Sequence, residues 1–368
     1  MTRKEATNAI TKARARVSVL AVSAALVVST AALYPAVAGT AGPTAAGNVS
    51  YAAGTTDPAA VQVDNFQVAE RTAEQAPRPA NPVTAQQAGN ISQQEPHRSP
   101  PGANDWHCKP TGQNPYPVVL FHGTWGSAYN TFAGLSAELK ADGHCVYATN
   151  FGAASVMEKG GIQAAQPAAF ATGDIAESAA EMGEFIDRVL ASTGAEQANL
   201  VGHSQGAVVA RQYTKFNGGA DKVNHIVTLG ATNNGMTMNG ISELYDIVSG
   251  TGVDIDTPLD HIVGVAGMQQ LVGSPFITEL NAGGHTVPGI DYTVIGSVND
   301  QVSTPYAATF LEAGPGSEVD NVTLQHSCAI DQSDHSSMMY SPHTYDIVRE
   351  ALAPGTVPED ARRCTAHS

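Results

Sequence analysis

Basic residues are scarce in this chain: 18 lysines and arginines face 34 aspartates and glutamates, for a net charge of −16 with histidine neutral. So acidic a molecule repels phosphate backbones and anionic membrane surfaces, which excludes nucleic acid as a partner. Tryptophan occurs twice and cysteine four times in 368 residues. Cys108, Cys145, Cys328 and Cys364 are never close in sequence, as the paired ligands of a structural zinc site are, so no metal is expected. Long apolar runs are missing too. The longest, Val17 to Leu33, falls short of the ~20 residues that a membrane span requires.

That run has another reading. Arg3, Lys4, Lys12, Arg14 and Arg16 precede it, and Ala36-Val37-Ala38 follows as an A-x-A cleavage site. Residues 1–38 therefore read as a secretory signal peptide, and the protein as secreted and extracellular. Their removal takes five of the 18 basic residues and one of the 34 acidic ones, leaving a net charge of −20. In an oxidising compartment an even number of cysteines points to disulfides. Three pairings are possible. Cys108 with Cys145 and Cys328 with Cys364 is favoured, because the first would tie the start of the domain to a nearby strand and the second would pin the tail.

Residues 39–103 are rich in Ala, Gly, Pro, Gln, Thr and Asn with few bulky apolar side chains, the composition of a disordered linker. One domain, 104–368, is expected to follow. Pro117-Val118-Val119-Leu120-Phe121 reads as a strand covered on both faces, ending in the glycine-bearing loop His122-Gly123-Thr124-Trp125-Gly126. Phe132, Leu135 and Leu139 fall at helical spacing, and Cys145 to Phe151 is the next strand, completing one strand-helix-strand unit. Asp174 can cap a helix whose apolar stripe runs from Ile175 to Leu190 and which Gly194 closes. Further strands are expected at 223–230, 292–297 and 319–325, and a terminal helix at 343–352. Residues 231–286 are longer than a connection between strands requires and read as a cap-like insertion.

The chemistry centres on Asn199-Leu200-Val201-Gly202-His203-Ser204-Gln205-Gly206. It reads as a buried strand delivering a serine into a Gly-x-Ser-x-Gly turn, the nucleophile elbow, with a helix following from Ala207. Glycines are needed on both flanks because side chains there would collide with neighbouring backbone. Serine is a poor nucleophile unless a base stands in hydrogen-bond reach and a third group orients that base. In this topology the order is serine, acid, histidine. Asp300, just past the end of a strand, is the expected acid. Asp291 is at the wrong end of its strand, and Asp331 and Asp334 crowd the histidine loop. His335, in a polar loop after the last strand, is preferred over His285, His326 and His343. Two main-chain N–H groups must meet the developing oxyanion, and Thr124 and Gln205 are expected to supply them. Trp125, Met236, Met238, Met268 and Leu271 are candidates for contact with an acyl chain.

His122-Gly123-Thr124-Trp125, Gly202-His203-Ser204-Gln205-Gly206, Gly273-Ser274-Pro275-Phe276, Asn281-Ala282-Gly283-Gly284 and Asp291-Tyr292-Thr293-Val294-Ile295 together resemble the secreted actinobacterial triacylglycerol lipases of lipase class 2. The resemblance spans roughly 104 to 353. It implies an α/β-hydrolase fold, a mostly parallel central sheet with helices on both faces. It also implies a triad on Ser204, Asp300 and His335, hydrolysis of acylglycerols or simpler carboxylic esters, and no cofactor. One departure is the absence of a cysteine near Gly267-Met268-Gln269-Gln270, so the family's disulfide pattern is not carried over. A monomer that meets lipid only transiently, at a lipid-water interface, fits this reading. The alternatives are an acyltransferase or polyester hydrolase on the same triad, or a hydrolase-like binding protein without chemistry.

Overall fold

The computed structural model describes residues 83–237, 239–241 and 259–368. The expected signal peptide, most of the expected linker, Met238 and the middle of the insertion lie outside the described residues. Six strands form one parallel sheet: β1 (Val118–Phe121), β2 (Val146–Ala148), β3 (Ala198–His203), β4 (Val223–Leu229), β5 (Asp291–Gly296) and β6 (Val319–Thr323). Their order across the sheet is β2-β1-β3-β4-β5-β6, with β1 in register beside both β2 and β3. The chain thus steps one way from β1 and later returns to its other side. The crevice at the carboxyl ends of β1 and β3 is where such sheets place ligands.

The strands of the sheet centre are apolar on both faces because both faces are covered. Val119, Phe121, Leu200 and Ile226 pack on one side with Ile175, Met182 and Ile186 of α3 (Ile175–Thr193) and Val208, Val209 and Tyr213 of α4 (Gln205–Phe216). Val118, Leu120, Val201 and Val227 pack on the other with Phe132, Leu135 and Leu139 of α2 (Ala128–Ala141) and with Tyr345, Val348 and Leu352 of α8 (Pro342–Leu352). Each such side chain contributes roughly 1.5–3 kcal/mol of burial. Asp174 caps α3 by accepting from the Ala176 and Glu177 amides, and Gly194 ends it at φ 77°, as the sequence implies.

Three differences from the sequence reading stand out. The expected linker is folded from residue 83 on: α1 (Ala85–Gln94) carries a capping box between Thr84 and Gln87 and buries Ala88 against Tyr129, Ala133 and Tyr340. Its sequence, AQQAGNISQQ, is too polar to announce a helix, since tertiary docking rather than an apolar stripe holds it. The last strand stops at Thr323, and residues 324–327 turn into the short helix α7 (Leu324–Ser327), as an exposed edge strand lacks the apolar cover that would prolong it. The insertion contributes α5 (Leu259–Gln269), interrupted at Gly264, and α6 (Pro275–Asn281). Buried Arg211 of α4 fastens both ends of the insertion, donating to Asn233 O at 3.2 Å, Asn281 Oδ1 at 2.8 Å and His285 O at 3.0 Å.

Both favoured disulfides are present, Cys108–Cys145 and Cys328–Cys364. Where the resemblance leads one to look for a cysteine, Gln269 instead accepts from the Ile175 amide at 2.9 Å and donates to Asp174 at 2.6 Å.

Candidate active site

Ser204 sits at the junction of β3 and α4 with φ 52° and ψ −121°, a left-handed conformation that a non-glycine residue adopts at a cost of about 1–3 kcal/mol. The surroundings enforce it. A Cβ on Gly202 would lie 2.6 Å from Ala207 N, and one on Gly206 would lie 2.1 Å from Phe121 O, so β1, β3 and α4 close together only with glycine on both flanks. The Ser204 amide donates to Leu229 O at the end of β4 (2.9 Å). Its hydroxyl caps no helix amide. Instead Ser204 Oγ lies 3.1 Å from His335 Nε2.

His335 Nδ1 lies 3.1 and 3.0 Å from the two carboxylate oxygens of Asp300. Asp300 Oδ1 also accepts from the Val302 and Ser303 amides, each at 2.8 Å. Burial alone would push this carboxyl up. The adjacent His335 ring and those N–H groups outweigh it, and Asp300 titrates below its ordinary value. A Cβ on Gly230 would come within 3.1 Å of Asp300 Oδ2 and 3.2 Å of His335 Nδ1, so the residue after β4 is glycine where the pair needs room. The two carboxylates set aside as acids shape the histidine loop. Asp331 accepts from the Ser333 amide at 2.9 Å and the Ser341 hydroxyl at 2.5 Å, while Asp334 accepts from the Ser336 and Ser337 amides at 3.0 and 2.7 Å. His343 and His285 bond elsewhere, to Ser327 and to the Glu312 amide.

Two further histidines belong to this site and escaped the sequence reading. His203 Nε2 donates to the main-chain oxygen of His335 at 2.9 Å, anchoring the loop that carries the base. Burial, reinforced by the neighbouring His335, pushes its pKa down to about 3, so it is a neutral strut. His122 is stacked on Phe151, its ring centroid 4.2 Å away. Its Nε2 accepts from the Phe151 amide at 3.3 Å, and burial pushes its pKa down to about 4. The signal was available: each precedes a motif residue, Gly123 or Ser204, at the end of a strand that leads into the site.

Thr124 and Gln205 are brought together beside the serine. Thr124 Oγ1 donates to Gln205 Oε1 (2.9 Å) and accepts from Gln270 Nε2 (2.9 Å), and Gln270 Oε1 accepts from Thr232 (2.9 Å). All four side chains are buried. This line of hydrogen bonds commits the Thr124 hydroxyl to Gln205. Among the described residues, the main-chain N–H groups of Thr124 and Gln205 donate to no protein acceptor. Gln205 opens α4, where N–H groups are unsatisfied by the helix itself and the dipole favours negative charge.

Ser204, His335, Gly123, Thr124 and Trp125 line a cavity of about 430 Å³, together with Ala85, Gly89 and Gln93 of α1. Of the candidate acyl contacts, Trp125 is there. Met236 is buried with Trp125, Ile241, Ile262, Val263 and Val302, and Met268 and Leu271 pack on the same cluster. Neither Met236 nor Met268 is among the described residues that line the cavity. They pack behind Trp125 together with Ile262 and Val263.

A parallel sheet covered by helices on both faces, with a serine on its central strand-to-helix bend, defines an α/β-hydrolase. Residues 115–346 match the family described as Lipase (class 2), and the chain belongs to that family. It is 26% identical over 209 residues to a triacylglycerol lipase of Vibrio cholerae, a match that covers 56% of this chain and 57% of that protein. The chain thus spans little more than half the length of this curated relative. The crystal structure of Aspergillus fumigatus lipase B is similar to it with a TM-score of 0.51 at 18% identity, covering 67% of this chain and 55% of that one.

Proposed function

We propose that this protein is a secreted serine carboxylic-ester hydrolase, a triacylglycerol lipase or esterase that works through an acyl-enzyme. The observation that carries the reading is the unbroken line from Ser204 Oγ through His335 to Asp300, at 3.1 and 3.0 Å. Ser204 attacks the ester carbonyl as His335 Nε2 takes its proton, and Asp300 holds the ring in the required tautomer and stabilises its charged form. The main-chain N–H groups of Thr124 and Gln205 receive the oxyanion, helped by the N-terminus of α4. Collapse of the tetrahedral intermediate passes the proton to the leaving alcohol. Water, deprotonated by His335, then frees the acid and restores Ser204. No cofactor enters these steps. The disulfides and the leader-like start of the sequence support an extracellular site of action, on acylglycerols or simpler esters met at a lipid-water interface.

The test is Ser204→Ala. Turnover of p-nitrophenyl butyrate should fall by about 10⁴-fold or more, while the melting temperature holds or rises, since the positive-φ serine adds no packing that alanine lacks. Retained turnover removes Ser204 from the mechanism.

A further inference from the structure

Helix α1 lies outside the residues that match the family, 115–346, yet it borders the cavity that contains Ser204 and His335. Ala85, Gly89 and Gln93 line that cavity, and steps of four place them on one helix face. The other contacts of the segment hold it in place. Ala88 is buried beside Tyr129 and Tyr340, Ser127 Oγ donates to Ser92 Oγ at 3.1 Å, and Asn150 Nδ2 donates to Pro96 O at 2.9 Å. The Arg98 guanidinium lies 5.2 Å from the ring of Tyr129.

Gly89 is the odd residue in this wall. Glycine is among the least favourable residues inside a helix, and nothing in the backbone of α1 requires one. Its φ is not positive, and beyond the helix's own backbone a Cβ placed there would meet no atom of the described residues within 4 Å. The missing side chain therefore relieves no clash among the described residues. It leaves open space at the cavity wall, near apolar Ala85, Trp125 and Met339.

We infer that α1 is the outer wall of the substrate cavity and that Gly89 is a specificity-determining position, the space it leaves being taken by the hydrocarbon part of an ester too large to lie against Ser204 alone. The inference rests on the hydrolase reading above. It is tested in the full chain with Gly89→Leu and Gly89→Ala, measuring kcat/KM on p-nitrophenyl acetate, p-nitrophenyl octanoate and tributyrin beside the melting temperature. Gly89→Leu should lower kcat/KM for octanoate and tributyrin by about tenfold or more relative to acetate, the scale at which a pocket rejects added bulk. Gly89→Ala should follow the same order with a smaller change, and neither should melt lower. An unchanged octanoate-to-acetate ratio, or an equal loss on all three esters, overturns the inference. If Gly89→Leu melts lower, the Gly89→Ala ratio decides by the same criterion. A wild-type chain that turns over none of these esters overturns the hydrolase reading, and this inference with it.

Discussion

Helices α4 and α1 stand at the same cavity on opposite terms: α4 starts just after Ser204, which lines it, whereas α1 lines it with Ala85, Gly89 and Gln93. Ten of the 12 residues of α4 are buried, whereas α1 buries two of its ten, Ala88 and Ser92. Each carries a glycine near the serine's cavity, and the two glycines serve opposite needs. At Gly206 a side chain has nowhere to go, because the backbone of β1 and of the loop after it is already there. At Gly89 it would have only open space. The residues of α4 are set by how closely three backbone segments must approach to aim Ser204. Those of α1 are set by what the helix leaves unfilled.

The same substitution at the two glycines should have opposite signs. Gly206→Ala drives a Cβ to 2.1 Å from Phe121 O and 2.6 Å from His122 O, so strand and helix must separate. The expected cost is more than about 2 kcal/mol in chemical denaturation, with loss of ester turnover because Ser204 and Thr124 move apart. A stable, active Gly206→Ala variant would break the comparison.

The second difference is electrostatic. His122 and His203, beside α4, are neutral because burial drives their pKa down to about 4 and about 3, whereas the sequence of α1 contains no titratable side chain. An unfolded histidine takes up a proton near pH 6.5, so between that pH and the folded value the unfolded chain binds more protons. Their contribution to stability is whole above pH 6.5 and is lost as pH falls toward 4, by about 1.4 kcal/mol per pH unit for each histidine. Urea midpoints at pH 7, 6 and 5 should decline accordingly, and His203→Gln should flatten the decline. The smallest effect belongs to α1. Gly89→Ala should raise stability by about 0.5–1 kcal/mol, since it adds helix propensity and meets nothing.

The sheet, and much of the meeting of Ser204, His335 and Asp300, were legible in the sequence from the pattern of the strands. A strand covered on both faces must be an apolar run, as Val118 to Phe121 is, and its carboxyl end must hand over to a polar or glycine-bearing loop. Ser204 directly follows β3 and Asp300 lies shortly past β5, so reading those strands placed both; His335, in the loop after the exposed β6, was reached through its place in the chain order. What stayed hidden depends on contacts rather than runs. The segment AQQAGNISQQ is polar enough to pass for a spacer, and only Tyr129, Ala133 and Tyr340, distant in sequence, make it a helix. The line from Thr232 through Gln270 to Thr124 and Gln205 is likewise invisible, because no spacing rule joins residues so far apart. Sequence does not separate the two environments open to Met236 and Met268, because an apolar side chain in an insertion reads the same whether it faces substrate or its own neighbours.

The two disulfides carry a practical consequence for anyone choosing where to start and stop the chain for expression. Each joins one cysteine inside the family-matching span to one outside it: Cys145 to Cys108, and Cys328 to Cys364. Cutting at residues 115 and 346 would strip away α1 and leave two orphan thiols, free to cross-link one molecule to the next. Such a truncated preparation would tend to form covalent aggregates and would lack the residues that α1 gives to the cavity at Ser204.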